Sequence, residues 1–203
     1  MTSFSMATTL PSRLRLSANE RYVHSMRHII ISFLFALALT SACGGTQHPA
    51  AQKGLLPVGS EVPALIRVDQ RGKVISLRSN TPTLLYFYPR DGTPGCTKEA
   101  CALRDAWDQY MLASIRVIGV STDSDESHRA FAEEYDLPFS LIADPERTWA
   151  DALGVAKFAG NMDERVSFLI DGQGRIVKSY DKVDPGVHAE EVLSDAKALG
   201  LAH

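Results

Sequence analysis

From residue 64 onward the chain reads as short apolar runs separated by turn residues. Residues 64–68 (ALIRV) and 74–77 (VISL) flank Asp69-Gln70-Arg71-Gly72, which predicts a hairpin. Residues 83–88 (TLLYFY) are almost continuously apolar, the pattern of a central strand, and Pro89 stops it. Ala100, Leu103, Trp107 and Met111 recur at helical spacing and predict one helix over 97–111. A second buried strand follows at 116–121. Next come a helix over 125–135 with Ala130, Phe131 and Tyr135 on its apolar side, a short strand at 139–142, and a short helix at 148–153 ended by Gly154. Residues 166–170 and 175–180 flank Asp171-Gly172-Gln173-Gly174 as a second hairpin, and an amphipathic helix over 188–201 closes the chain.

A strand, a helix and another buried strand in succession require a right-handed crossover and parallel pairing. The closing hairpin adds antiparallel strands. The expected architecture is α/β: a mixed central sheet with helices on both faces, formed by residues 57–203.

The first third of the chain has a different character. Residues 29–39 (IIISFLFALAL) are apolar and uncharged, but shorter than the roughly 20 residues a spanning helix needs. Met26-Arg27-His28 precedes them and Thr40-Ser41-Ala42-Cys43 follows, the layout of a secretory signal. Residues 1–43 are therefore expected to be leader and signal, with translation starting at Met26, and 44–56 (GGTQHPAAQKGLL) a flexible tether. The stretch 39–43 (LTSAC) resembles the lipobox of bacterial lipoproteins, although the leucine lies four residues before the cysteine where the family has three. That resemblance implies a lipidated Cys43 as first mature residue, a membrane anchor, and a place in the bacterial cell envelope facing periplasm or exterior.

The 203 residues carry a formal net charge of −3, with pI near 6.1, and give no reason to expect nucleic acid as partner. Residues 1–42 hold four Arg and one Glu, so a chain beginning at Cys43 has a net charge of −6. Three cysteines are too few for a disulfide-built scaffold. With Cys43 lipidated, Cys96 and Cys101 remain as an even pair.

These two lie in YPRDGTPGCTKEAC, residues 88–101. Cys96 follows a buried strand and a tight turn and opens a helix. The unpaired amides and partial positive charge of a helix N-terminus favour a thiolate there. Cys101 is five residues on: along an intact helix that is a rise of about 7.5 Å and roughly 140° of rotation, beyond the reach of a disulfide. If the two join, the start of the helix must unwind. The spacing thus disfavours a permanent staple and favours a segment that switches. Zinc needs four ligands, or three plus water, and no second cysteine pair exists; His24 and His28 lie in the leader, and His128 and His188 stand alone, expected at the surface or at helix ends. Phosphate-loop, dinucleotide and serine-hydrolase motifs are absent from the sequence. Arg90 and Asp91 in the turn are expected to be solvated, and Trp107 and Trp149 to serve packing.

Pro89, Thr93 and Cys96 stand as P-x-x-x-T-x-x-C. This resembles the active-site motif of peroxiredoxins, thiol peroxidases on a thioredoxin-like fold. YFYPRDGTPGCTKEACALRD is similar to the peroxiredoxin Q branch, also called bacterioferritin comigratory protein. Arg165 in ERVSFLID matches the family's arginine before a strand, and HAEEVL (188–193) is also similar. The resemblance implies a peroxidatic Cys96, a resolving Cys101 and a Cys96–Cys101 disulfide. It implies an Arg165 that stabilises the thiolate and holds peroxide oxygens, a Thr93 hydroxyl that donates to thiolate or peroxide, and a Pro89 that shields the pocket. Backbone N–H groups at Gly95 and Cys96 would add to the field. Glu99, one turn on, either orients Arg165 or is solvated.

The implied activity is reduction of hydrogen peroxide and organic hydroperoxides without cofactor or metal. A thioredoxin-like dithiol protein is the implied reductant; thioredoxin itself is cytosolic, so an envelope enzyme needs another donor. This branch is often monomeric, so a monomer is expected. Two other classes stay open at this point. One is a periplasmic thiol–disulfide oxidoreductase of thioredoxin-like type, although the C-x-x-C that those proteins use is missing. The other is a lipoprotein that reuses the fold for binding.

Overall fold

The computed structural model describes residues 54–202. The signal, Cys43 and most of the expected tether lie outside these residues. Leu55 and Leu56, placed in the tether because they show no periodicity, pack against the apolar core, and the Leu56 amide donates to the Leu153 carbonyl at 2.9 Å.

β1 (Ile66–Val68) and β2 (Val74–Ser76) form the first hairpin. Its turn is closed by Asp69, whose carboxylate accepts the Arg71 and Lys73 amides at 3.0 and 2.9 Å, and by Gly72 at φ +81°. The hairpin stands apart from the main sheet but its turn docks on it. Gln70 gives its side-chain N–H to Phe139 O and accepts from the Leu141 amide, and Ser140 Oγ donates to Asp69. Both turn residues are buried, against the usual expectation for a polar turn, because they satisfy an otherwise bare strand edge.

The main sheet holds β3 (Thr83–Phe87), β4 (Arg116–Ser121), β5 (Ser140–Ala143), β6 (Val166–Ile170) and β7 (Ile176–Tyr180), in spatial order β5-β4-β3-β6-β7. β3 and β4, and β4 and β5, pair in parallel; β6 runs antiparallel to β3 and to β7. The mixed sheet is as the pattern predicts. Successive residues of β3 point to opposite faces, and all five are buried because both faces are covered. Leu84 and Tyr86 face a core built with α1 (Pro94–Asp105), α2 (Trp107–Leu112), Phe131 of α3 (Asp125–Glu134) and α5 (His188–Ala198). Leu85 and Phe87 face Trp149 and Ala150 of α4 (Thr148–Ala152) and the hairpin residues Ile75 and Leu77. Each fully buried side chain of this size contributes about 1.5–3 kcal/mol.

One element differs from the pattern. The single helix expected over 97–111 begins earlier, at Pro94, and is broken at Ala106 (φ −88°, ψ 4°). Proline suits the first helical position because its missing N–H is unbonded there anyway. Beyond the break Trp107 packs against the Phe139 ring, and the Tyr110 hydroxyl donates to the Ala189 carbonyl at 2.9 Å.

Candidate active site

The topology gathers the predicted residues. β3 runs toward the turn 89–93, and α1 starts directly after it. Because β6 is antiparallel to β3, with Phe87 opposite Val166, residue 165 is brought beside the carboxyl end of β3. Arg165 therefore meets the first turn of α1, 69 positions away in sequence.

Cys96 is the third residue of α1 and is 2% exposed. Cys101 lies on the same unbroken helix and is partly exposed; both are free thiols. Arg165 Nη2 is 3.2 Å from Cys96 Sγ, and Nη1 donates to Glu99 Oε2. One planar guanidinium thus holds a carboxylate and a sulfur at once, which a lysine point charge cannot do. Gly95 makes room for it: a Cβ there would stand 3.2 Å from Nη2. Of the two readings of Glu99, the solvated one is wrong. Glu99 is 1% exposed and paired with Arg165, and its Oε1 has no protein partner. Burial pushes its carboxyl up to about 7, and the Arg165 charge only partly opposes this. Burial disfavours the Arg165 cation, but the charge of Glu99 and the bond to Cys96 outweigh it and raise its pKa.

Thr93 sits at the N-cap of α1, but its hydroxyl donates to the Arg90 carbonyl at 3.0 Å and makes no capping bond. It braces the turn, so the expected donation to thiolate or peroxide requires that bond to be given up. Pro89 is partly buried at the start of the same turn.

Two expectations are corrected. Asp91 is not solvated: its carboxylate accepts from Tyr88, Ser127 and His128, and its side chain is 8% exposed. Neither histidine is at the surface, since both are fully buried; His188 is at a helix end, as expected, opening α5, whereas His128 lies inside α3. His188 Nε2 lies 2.9 Å from Ser167 Oγ, and burial outweighs its Glu191 partner to lower its pKa. For His128 a signal existed, since it stands three residues before Phe131 and seven before Tyr135, on the apolar stripe of α3. Sequence reasoning also missed Arg147 and Asp163. Arg147, in the left-handed region at φ +57°, pairs with buried Asp163 and donates to the Val155 carbonyl at 2.6 Å, bracing both ends of the loop that leads to Arg165. Neither residue shows this in sequence, because the pairing depends on how that loop folds back. Trp149 is core, as expected.

A buried thiol at a helix start beside a fixed cation is a site for thiolate chemistry, and the comparisons agree. Residues 58–179 match the AhpC/TSA family. The chain is 38% identical over 152 residues to peroxiredoxin Bcp of Bacillus subtilis, covering 71% of this chain and 97% of that one. The fold superposes on a cysteine-to-serine mutant of Xylella fastidiosa PrxQ with TM-score 0.68 and 28% identity, over 71% of this chain and 98% of that one. It also superposes on Xanthomonas campestris bacterioferritin comigratory protein, studied for its alkyl peroxide reduction activity, with TM-score 0.65 and 30% identity, over 70% of this chain and 99% of that one. The chain belongs to the AhpC/TSA family of thiol-dependent peroxidases. Within it, the chain falls in the peroxiredoxin Q/Bcp branch.

Proposed function

We propose that this peroxidase reduces peroxides through Cys96 and closes its cycle through Cys101. The Cys96 thiolate attacks the distal oxygen of ROOH. The O–O bond breaks, Cys96 becomes a sulfenic acid, and the departing RO⁻ takes a proton to leave as ROH. Cys101 then condenses with the sulfenic acid: an S–S bond forms, and the Cys101 proton leaves with the sulfenic oxygen as water. A dithiol protein returns the pair to thiols by exchange.

The observation that carries this reading is the 3.2 Å contact between Arg165 Nη2 and Cys96 Sγ at the first turn of α1. A fixed donor there holds the attacking sulfur in place and meets the charge that develops on the peroxide oxygens. The partly exposed Cys101 is open to an incoming partner. Organic hydroperoxides are included as substrates by likeness to the Xanthomonas protein, and a monomer is the assembly we assign.

We place the enzyme in the bacterial cell envelope, anchored by lipid on Cys43 through a tether, with residues 1–43 as leader and signal. The support is the order of basic, apolar and small residues before Cys43. Cys96→Ser abolishes peroxide consumption, and Cys101→Ser is oxidised once but does not turn over with a dithiol protein. Undiminished activity in Cys96→Ser sinks the assignment. Mass spectrometry of the native protein checks the anchor; an unmodified Cys43 removes it.

A further inference from the structure

The turn before Cys96 is held by a group of side chains that the peroxide chemistry does not use. Tyr88, just past β3, donates its hydroxyl to Asp91 Oδ1 at 2.8 Å. Ser127 Oγ donates to Asp91 Oδ2 at 2.7 Å, and His128 Nδ1 lies 2.9 Å from the same oxygen. The backbone amide of Asp91 donates to Asp123 Oδ2 at 2.9 Å, an oxygen that also accepts the Ser121 hydroxyl at 2.8 Å. Tyr88 and His128 are 1% and 0% exposed. Burial works against ionisation of Asp91, but the bonds from His128, Ser127 and Tyr88 hold its carboxyl below the usual range. Facing that carboxylate, His128 Nδ1 donates, and its Nε2 has no protein partner.

This is more than a turn of five residues needs. Asn, Gly or an exposed Asp would close it without burying a carboxylate and an imidazole, each costly unless fully paired. What the arrangement supplies is immobility: the turn is bolted to the end of β3, to the start of α3 and to the end of β4. Immobility matters here because the segment directly after the turn has to move. Cys96 and Cys101 cannot bond along the intact α1.

We propose that Asp91 and His128 are positioning residues that clamp the 89–93 turn, so that reduced Cys96 is presented to Arg165 and the opening of α1 starts after Thr93 without entering β3. The inference rests on the roles given above to Cys96 and Cys101. The clamp works in both halves of the cycle. It keeps the first turn of α1 in register with Arg165 during peroxide attack. It then gives the unwinding segment a fixed end from which to re-form the helix after reduction.

The test compares Asp91→Asn, His128→Ala and His128→Asn in the full chain. Asparagine at 128 can place an N–H near the position of Nδ1, whereas alanine cannot. Hydrogen exchange is measured on the reduced protein at the Asp91 amide and at the Thr97 amide, which bonds to Thr93 O at 2.8 Å. Quenched-flow mixing gives the rate of Cys96 oxidation by hydrogen peroxide and the rate of the following disulfide step. In Asp91→Asn and His128→Ala, exchange at both amides rises and Cys96 oxidation slows, each by about tenfold or more, the effect of losing one such contact. The disulfide step is unchanged or faster, and His128→Asn stays close to wild type.

A uniform rise in exchange across the β3 amides, with Cys96 oxidation falling only as the folded fraction falls, overturns the clamp. So does a wild-type oxidation rate in Asp91→Asn. If His128→Ala does not fold, Asp91→Asn against His128→Asn decides the matter alone. If wild-type Cys96 does not react with peroxide, the peroxidase roles fail, while the exchange data still decide whether the clamp exists.

Discussion

Arg165 Nη2 stands 3.2 Å from Cys96 Sγ, and the same guanidinium is held from its other side by the buried carboxylate of Glu99. Thiol, cation and carboxylate are thus one unit, and a change to any member is felt by the others.

Arg165→Lys keeps a positive charge but cannot serve sulfur and carboxylate together, and Arg165→Met removes the charge. Losing one preorganised donor of this kind costs on the order of 10²-fold in rate. The second-order oxidation of Cys96 by peroxide, followed by thiol trapping, is expected to fall by that order in Arg165→Met, and lysine is expected to recover only part of it.

Glu99 predicts a pH signature. Its carboxyl holds a proton up to about 7 in the folded protein, whereas the ordinary value is 4.5. Stability from this group is therefore full below about 4.5 and is lost as pH rises toward 7. The loss is of order 3 kcal/mol, at about 1.4 kcal/mol per unit. Glu99→Gln removes that slope. The difference in unfolding free energy between variant and wild type, measured by urea at several pH values, is expected to shift in favour of the variant between pH 4.5 and 7. A flat difference contradicts it. Taking the difference also cancels the opposite slope from His188, whose lowered pKa adds stability as pH rises.

Forming the Cys96–Cys101 bond is incompatible with an intact α1. Oxidation by one equivalent of peroxide is expected to lower the far-ultraviolet helix signal and to speed hydrogen exchange within residues 94–105. Cys101→Ser, oxidised in the same way, keeps both signals at their reduced values. Unchanged helicity in the oxidised wild type rules the hinge out.

Arg147 and Asp163 are 2% and 0% exposed. Arg147→Met strands a buried carboxylate and leaves the Val155 carbonyl without its donor, at a cost of about 3–5 kcal/mol. A double change, Arg147→Met with Asp163→Leu, is expected to recover much of this, because no charge is then left buried. Urea midpoints of the three proteins check the cycle.

Much of the fold was legible because its strands announce themselves. The apolar runs at 116–121 and 166–170 match β4 and β6 residue for residue, and the run at 83–88 misses β3 by one. Cys96 was legible through the motif it forms with Pro89 and Thr93, and Arg165 through its place before a strand; Gly95 was singled out for its backbone N–H, not for the room it leaves the guanidinium. What the pattern could not show is burial of polar groups. Asp69, Gln70, Asp91 and Asp163 read as solvated by type, yet each is paired by a partner distant in sequence or by a turn that folds onto it. Periodicity reports which faces are apolar; it says nothing about a carboxylate neutralised across the fold. The break at Ala106 escaped for a related reason. The apolar spacing continues through it, and the register changes only because Trp107 and Tyr110 find partners beside β5 and on α5.

That break sets the scale of the conformational event. Since α1 ends at Asp105, the helical bonds of α2 belong to a separate cooperative unit: the amides of Gln109 and Tyr110 both donate to the Ala106 carbonyl. If α1 opens from Cys96 as proposed, the joint at Ala106 is where the opening is expected to stop, leaving the Tyr110–Ala189 bond on its far side. On that proposal the moving part is α1 itself, twelve residues at most, a length short enough to open and re-form as a local unit.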